Sequence, residues 1–183
     1  MSQADTLTPD LETPPAGFDD LYEVVNGRFV EQPPMGAYQN QIASTLFLAL
    51  ANHVNQHRLG RVVAEMLHLL DHASKLQRRP DISFVSFDRW AEDRRVSDTA
   101  AWDVVPDLAI EVVSPSNSVQ DINDKLIDYF RSGVRSVWVI HPKPQWVYLY
   151  ESLKRITIFE ANDVLSGSTM LPEFRIRVSE LFE

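Results

Sequence analysis

Pro106-Asp107-Leu108-Ala109-Ile110-Glu111-Val112-Val113-Ser114-Pro115-Ser116, then a helical stretch carrying Lys125, then Ser136-Val137-Trp138-Val139-Ile140, decides how this chain folds. The first run reads as a central strand over 107–113, with Leu108, Ile110 and Val112 apolar on one side and both faces covered. Residues 119–132 read as a helix: Ser118 is its N-cap, Asp121 stands at the capping-box position and Gly133 is the C′ stop. A second buried strand follows at 136–140. Strand, helix and strand in this order imply a parallel pair joined by a right-handed crossover. Two acids on a strand that otherwise reads as core are the anomaly. A buried, unpaired carboxylate costs several kcal/mol, so a bound cation or a paired base is the expected explanation.

Around this unit the elements are short. Residues 1–17 hold Pro, Thr and acids without apolar periodicity and read as a flexible arm. Asn26-Gly27 between two alternating runs predicts a hairpin over 22–31, ended by Pro33-Pro34. Ile42, Leu46, Ala49, Leu50 and His53 recur at helical spacing and predict a helix over 37–57. Residues 61–70 and 77–87 read as one long strand and its returning partner, with a turn near Asp71-His72. Residues 88–105 read as a long loop anchored by Trp90 and Trp102. Further strands are expected at 146–151 and 155–159. The hairpins are antiparallel, so the sheet is mixed and the class is α/β with α+β character.

At 183 residues, 44% hydrophobic and 23% charged, the chain is long enough for one domain with a proper core, taken as 18–183. It has no apolar run near twenty residues, so no membrane partner is expected, and no signal-peptide pattern. Zero cysteines exclude disulfides and thiolate metal sites. These features fit the cytoplasm. A net charge of −9 argues against coating nucleic acid through bulk charge but leaves room for an enzyme with a local site. Arg78-Arg79 and Arg94-Arg95 read as solvated loop charges.

Chemistry has few candidates. Asp107 and Glu111 share one strand face, with small Ala109 between them. Asp81 directly follows a proline in the earlier strand; if the two strands are neighbours, Asp81 and Glu111 can share one hard cation. Mg²⁺ is usually held by one or two carboxylates, water and substrate phosphate. Such an ion polarises a phosphodiester and acidifies the attacking water. Lys125 lies at the edge of a core face marked by Val119, Ile122, Leu126, Tyr129 and Phe130, within reach of Glu111, where it can neutralise transition-state charge; its bland reading is a snorkelling surface lysine. His53 and His57 are four apart but lack a metalloprotease motif. No serine elbow, Walker loop or dinucleotide loop is present, so no organic cofactor is expected.

The chain resembles the Uma family of restriction-endonuclease-like proteins, within the PD-(D/E)XK nuclease superfamily. The resemblance rests on Tyr22-Glu23-Val24-Val25-Asn26-Gly27, Arg79-Pro80-Asp81-Ile82 and the 106–116 stretch. Asp124-Lys125 with Tyr129, Gly133-Val134, Val137-Trp138-Val139 and Val164-Leu165-Ser166-Gly167 extend it over roughly 18–182. It implies a restriction-endonuclease-like mixed sheet flanked by helices. It matches Asp81 to the first metal acid and Glu111 to the acid of the E-x-K element. Val113 stands where that lysine normally falls, and Lys125 matches a lysine displaced onto the following helix. Gln39 matches a polar position near the site, Tyr38 stands where relatives carry His, and His141 replaces an acid after the Trp-containing strand.

The leading expectation is therefore an endonuclease, a hydrolase cutting DNA with Mg²⁺ or Mn²⁺. Asp81, Glu111 and Asp107 are its metal acids, Lys125 its lysine, and Gln39 and Tyr129 supporting residues. The rivals are a catalytically silent binding or dimerisation module and a structure-specific RNA or DNA nuclease. A homodimer is expected, with Trp90, Trp102 and the strand near Trp146 as apolar contacts.

Overall fold

The computed structural model describes residues 21–183, and the arm expected over 1–17 lies outside them. The hairpin forms as expected from β1 (Tyr22–Val25) and β2 (Arg28–Glu31). Asn26 and Gly27 have φ of 52° and 69°, the paired left-handed conformation that Asn-Gly supplies to a two-residue turn. Next comes α1 (Ala37–His57), buried along Ile42, Ala43, Leu46, Leu50 and Val54 and ended by left-handed Arg58.

The two long strands expected at 61–70 and 77–87 are each cut in two, as β3 (Gly60–Ala64) with β4 (His68–Asp71), and β5 (Leu76–Arg78) with β6 (Ile82–Ser86). Glu65 turns left-handed, with φ 47°, and Pro80 has no N–H to give a ladder. The Glu65 N–H donates to the Asp81 carbonyl across the break at 3.0 Å. The hairpin thus bends, and its two halves join different sheets. At the inner end, a Cβ on Gly60 would lie 2.1 Å from the Val85 carbonyl oxygen, so β3 can approach β6 there only as glycine.

The loop 88–105 carries no helix or strand. It leads to β7 (Leu108–Val112), α2 (Val119–Ser132), β8 (Ser136–His141), β9 (Trp146–Ser152) and β10 (Arg155–Phe159). A second hairpin, β11 (Val164–Gly167) with β12 (Leu171–Arg177), ends in a 3₁₀ turn at Val178–Leu181. The capping box of α2 is present in both directions between Ser118 and Asp121, and Gly133 closes the helix left-handed.

The main sheet has six strands in the order β10-β9-β8-β7-β6-β3. β7 and β8 are parallel, as the crossover requires, and the other pairs are antiparallel. A second antiparallel sheet runs β2-β1-β5-β4. Strand alternation divides the core. Leu108, Ile110 and Val112 face α1 and the C-terminal hairpin, while Ala109 packs with Leu126 and Tyr129 of α2. Val119, expected on the core face of α2, is 80% exposed, and the buried residues of the helix are Lys125, Leu126 and Tyr129.

Trp90 and Trp102 are interior, 5.4 Å apart edge to face beneath the long loop, and so are unavailable to a partner. Arg94 caps this cluster, its guanidinium 3.6 Å from the Trp90 ring centre. His68 is buried beside it, between the Val104 carbonyl and Ser83; burial holds its ring down at about 4, so it stays neutral and structural. Among the described residues, no helix is long and apolar enough to cross a membrane.

Candidate active site

The central strand carries Glu111 on the face that α2 covers. Lys125 and Tyr129 are one turn apart on α2, so both point at the same spot. The Lys125 Nζ donates to Glu111 Oε2 at 2.9 Å, and the Tyr129 hydroxyl donates to Oε1 at 2.6 Å. Each oxygen of Glu111 is thereby held by its own donor. Asp81 arrives from the bend. Because Ile82 lies opposite Ile110, the residue before β6 reaches the end of β7, and Asp81 Oδ2 accepts the Val112 N–H at 2.6 Å.

The second sheet adds a residue not among the candidates that the sequence pattern suggests. Glu23 on β1 is fully buried. Its Oε1 lies 3.4 Å from Lys125 Nζ and accepts the Arg79 N–H at 2.9 Å, while its Oε2 pairs with Arg78 at 2.6 Å. Arg78 continues to Asp128 at 2.6 Å. Glu111, Lys125, Glu23, Arg78 and Asp128 thus form one ion-pair chain that ties α2 to both sheets. Far from solvated, Arg78 is 6% exposed. Glu23 had a legible signal, an acid between Tyr22 and Val24 in mid-strand, just as Glu111 stands between Ile110 and Val112.

The electrostatics follow from crowding carboxylates out of water. Burial, and the Glu111 charge beside it, push the Asp81 carboxyl up to about 7, although the Val112 N–H opposes this. Burial also raises Glu111, against the pull of Lys125. Burial alone would lower Lys125, but Glu111 and Glu23 outweigh it and hold the ammonium charged. The Tyr129 phenol is raised well above its usual value by burial and by Glu111, so it remains a donor. Asp81, Glu111 and Lys125 open together on a small polar chamber of about 50 Å³ that also touches Glu65, Arg79 and Asn117.

Asp107 does not join them. It lies at the opposite end of β7, fully buried, where it accepts the Ser86 N–H at 2.7 Å and pairs with Arg89 at 2.9 Å and Arg135 at 3.1 Å. Two guanidiniums and an amide surround its oxygens, so the structure does not bring it together with Asp81 and Glu111. Asp107→Asn is expected to destabilise the protein by about 1–3 kcal/mol in urea unfolding while leaving Mg²⁺ affinity unchanged by calorimetry.

Gln39 also stays outside the cluster. Its side chain lies close over Gly36, and Asn40, one residue on, lines the cleft beside Asp81. Tyr38 is exposed, its hydroxyl 3.4 Å from the Phe182 carbonyl, and His141 rests against Tyr148 at the end of β8. His53 is half-buried against Phe174 of the C-terminal hairpin and bonded to the Pro172 carbonyl at 2.8 Å, while His57 is exposed. Among the described residues, no three His, Asp or Glu side chains are grouped to hold a metal ion.

A mixed sheet with one helix on each face, and acids gathered where β6 meets β7, defines a restriction-endonuclease-like fold. A crystal structure described as "a putative nuclease belonging to DUF820", from Anabaena variabilis, shares this fold. The TM-score is 0.77 over 88% of this chain and 89% of that one, at 21% identity. The profile of the Uma2 family, described as "Putative restriction endonuclease", matches residues 10–179, and the chain belongs to that family. No curated protein sequence matches it.

Proposed function

We propose that the protein is a divalent-metal-dependent endonuclease that hydrolyses DNA phosphodiesters at the Asp81–Glu111–Lys125 site. One observation carries the reading. Asp81 and Glu111 border one chamber with the buried Lys125, and burial, reinforced by the Glu111 charge, raises the Asp81 carboxyl to about 7. Crowded like charges are stabilised by a cation, and Mg²⁺ needs only one or two protein carboxylates. Asp81 and Glu111 fit that role and would hold Mg²⁺ or Mn²⁺. A metal bound there supplies Lewis-acid polarisation of the phosphodiester and a more acidic water.

The chain's own residues do the remaining work. The Val112 N–H fixes the Asp81 carboxylate, and Tyr129 with Lys125 fixes Glu111, so both acids are preorganised. Lys125 places a permanent positive charge next to the acids, suited to stabilising charge that develops on phosphate. The dimer expected for this chain belongs to the same proposal, with half-buried Trp146 and exposed Ile156 and Ile158 as the apolar surface still open to a partner.

A silent scaffold is favoured by one feature. The Lys125 ammonium lies within 3.4 Å of two carboxylates and can replace the cation. Magnesium titration separates the readings. A binding isotherm at millimolar Mg²⁺, with DNA cleavage that stops on chelation and is missing in Glu111→Gln, supports the endonuclease. A titration without heat at millimolar metal supports the scaffold.

A further inference from the structure

The polar chamber has an apolar neighbour. A cleft of about 320 Å³ runs between α1 and the bend, walled by Met35, Phe47, Leu48 and Ile82, with Asn40 and Ser44 at its rim. Asp81, Glu65 and Met35 border both spaces, so the candidate metal acid stands at the partition between them. The cleft's volume suits a small planar group, at the lower end of the range for ligand pockets. Asn40 and Ser44 lie 3.4 Å apart at its mouth and are exposed. Their amide and hydroxyl can donate and accept, as the edge of a nucleobase demands.

Charge narrows the substrate further. Duplex DNA is held largely through its phosphates, and a protein of net charge −9 offers little for that. The guanidiniums nearest the site are engaged internally: Arg78 with Glu23 and Asp128, Arg79 with the carbonyls of Tyr22 and Glu65. Stacking on an aromatic ring needs no net charge, and every base offers a π face. A paired base cannot enter such a cleft without leaving its stack.

We infer that the apolar cleft receives an unpaired nucleobase, so that the substrate class is single-stranded, flipped or frayed nucleic acid. The phosphate would lie beside Lys125 and its base across Asp81, against Phe47. This inference rests on the endonuclease reading and specifies its substrate.

The test uses the full chain with Ca²⁺ in place of Mg²⁺, measuring fluorescence anisotropy of three short DNA probes: a single strand, the same strand with one abasic site, and the blunt duplex. The single strand is expected to bind about tenfold or more tightly than the duplex, and the abasic site, placed at each position in turn, to remove that advantage at one of them. A 2-aminopurine at that position is expected to be quenched. Phe47→Leu keeps apolar volume but loses the ring and should abolish the quenching. Leu48→Ala, at an exposed position that tolerates truncation, should weaken the single strand selectively. Equal binding of strand and duplex, with no effect of the abasic site or of either variant, overturns the inference. If such a protein still cuts duplex DNA with Mg²⁺, the endonuclease reading stands without the base pocket; if no nucleic acid binds at all, both fall.

Discussion

Replacing Lys125 with methionine is expected to lower DNA cleavage about 10³-fold and to destabilise the protein by about 3–5 kcal/mol. The lysine is only 8% exposed and lies within ion-pair distance of both Glu111 and Glu23. Without it, Glu23 keeps Arg78, but Glu111 keeps only the neutral Tyr129 hydroxyl, with Asp81 nearby. An uncompensated buried carboxylate is the costly outcome, and it recovers by taking up a proton. The loss of stability should therefore shrink as pH falls. The double variant Lys125→Met with Glu111→Gln removes both charges and should recover most of the stability while leaving cleavage absent. Urea unfolding of the four proteins in the cycle measures the coupling. A coupling near zero would place the ammonium in solvent, contrary to the geometry above.

Local chemistry made much of this fold readable. Asn26-Gly27 specified its turn, the Ser118–Asp121 box and Gly133 specified the ends of α2, and the strand patterns at 107–113 and 136–140 specified a parallel pair. The bend at Glu65 and Pro80 was not readable, because it depends on which halves of the hairpin find β1 and β7. The C-terminal hairpin was missed for a similar reason: its alternation is short and is completed by packing against α1.

The site shows the same division. Asp107 and Glu111 do share a strand face, but four residues of strand separate them by roughly 13 Å, so facing the same way does not bring them together. On α1, moving from Gln39 to Asn40 turns the side chain by about 100°, enough to exchange one helix surface for the cleft. Lys125 stood at the edge of an amphipathic face, where pattern alone favours a snorkelling lysine. Besides Glu111 it meets Glu23, more than 100 positions earlier, and no local periodicity reports such a partner. Fold-level likeness fixes the frame in which these residues meet, but the chemistry depends on the residues themselves.

The apo protein is expected to lose stability as pH rises from about 4 to 7, and its affinity for Mg²⁺ is expected to rise about tenfold per pH unit over the same window. Asp81 has a folded value of about 7 against an ordinary value of 3.8. A carboxyl raised on folding binds its proton more tightly in the native state. Its contribution is complete below the unfolded value and is lost as pH climbs through the folded one. Metal binding needs the carboxylate, so below pH 7 each bound Mg²⁺ must displace that proton, and above pH 7 the affinity levels off. Calorimetry in buffers of different ionisation enthalpy should show about one proton released near pH 6 and close to none at pH 8. Burial raises Glu111 in the same direction, which would add to the dependence. In Asp81→Asn the stability profile should flatten across the window, and metal affinity should fall and lose its rise toward pH 7. A wild-type affinity independent of pH between 5 and 8 would mean that Asp81 is not the group the metal displaces a proton from.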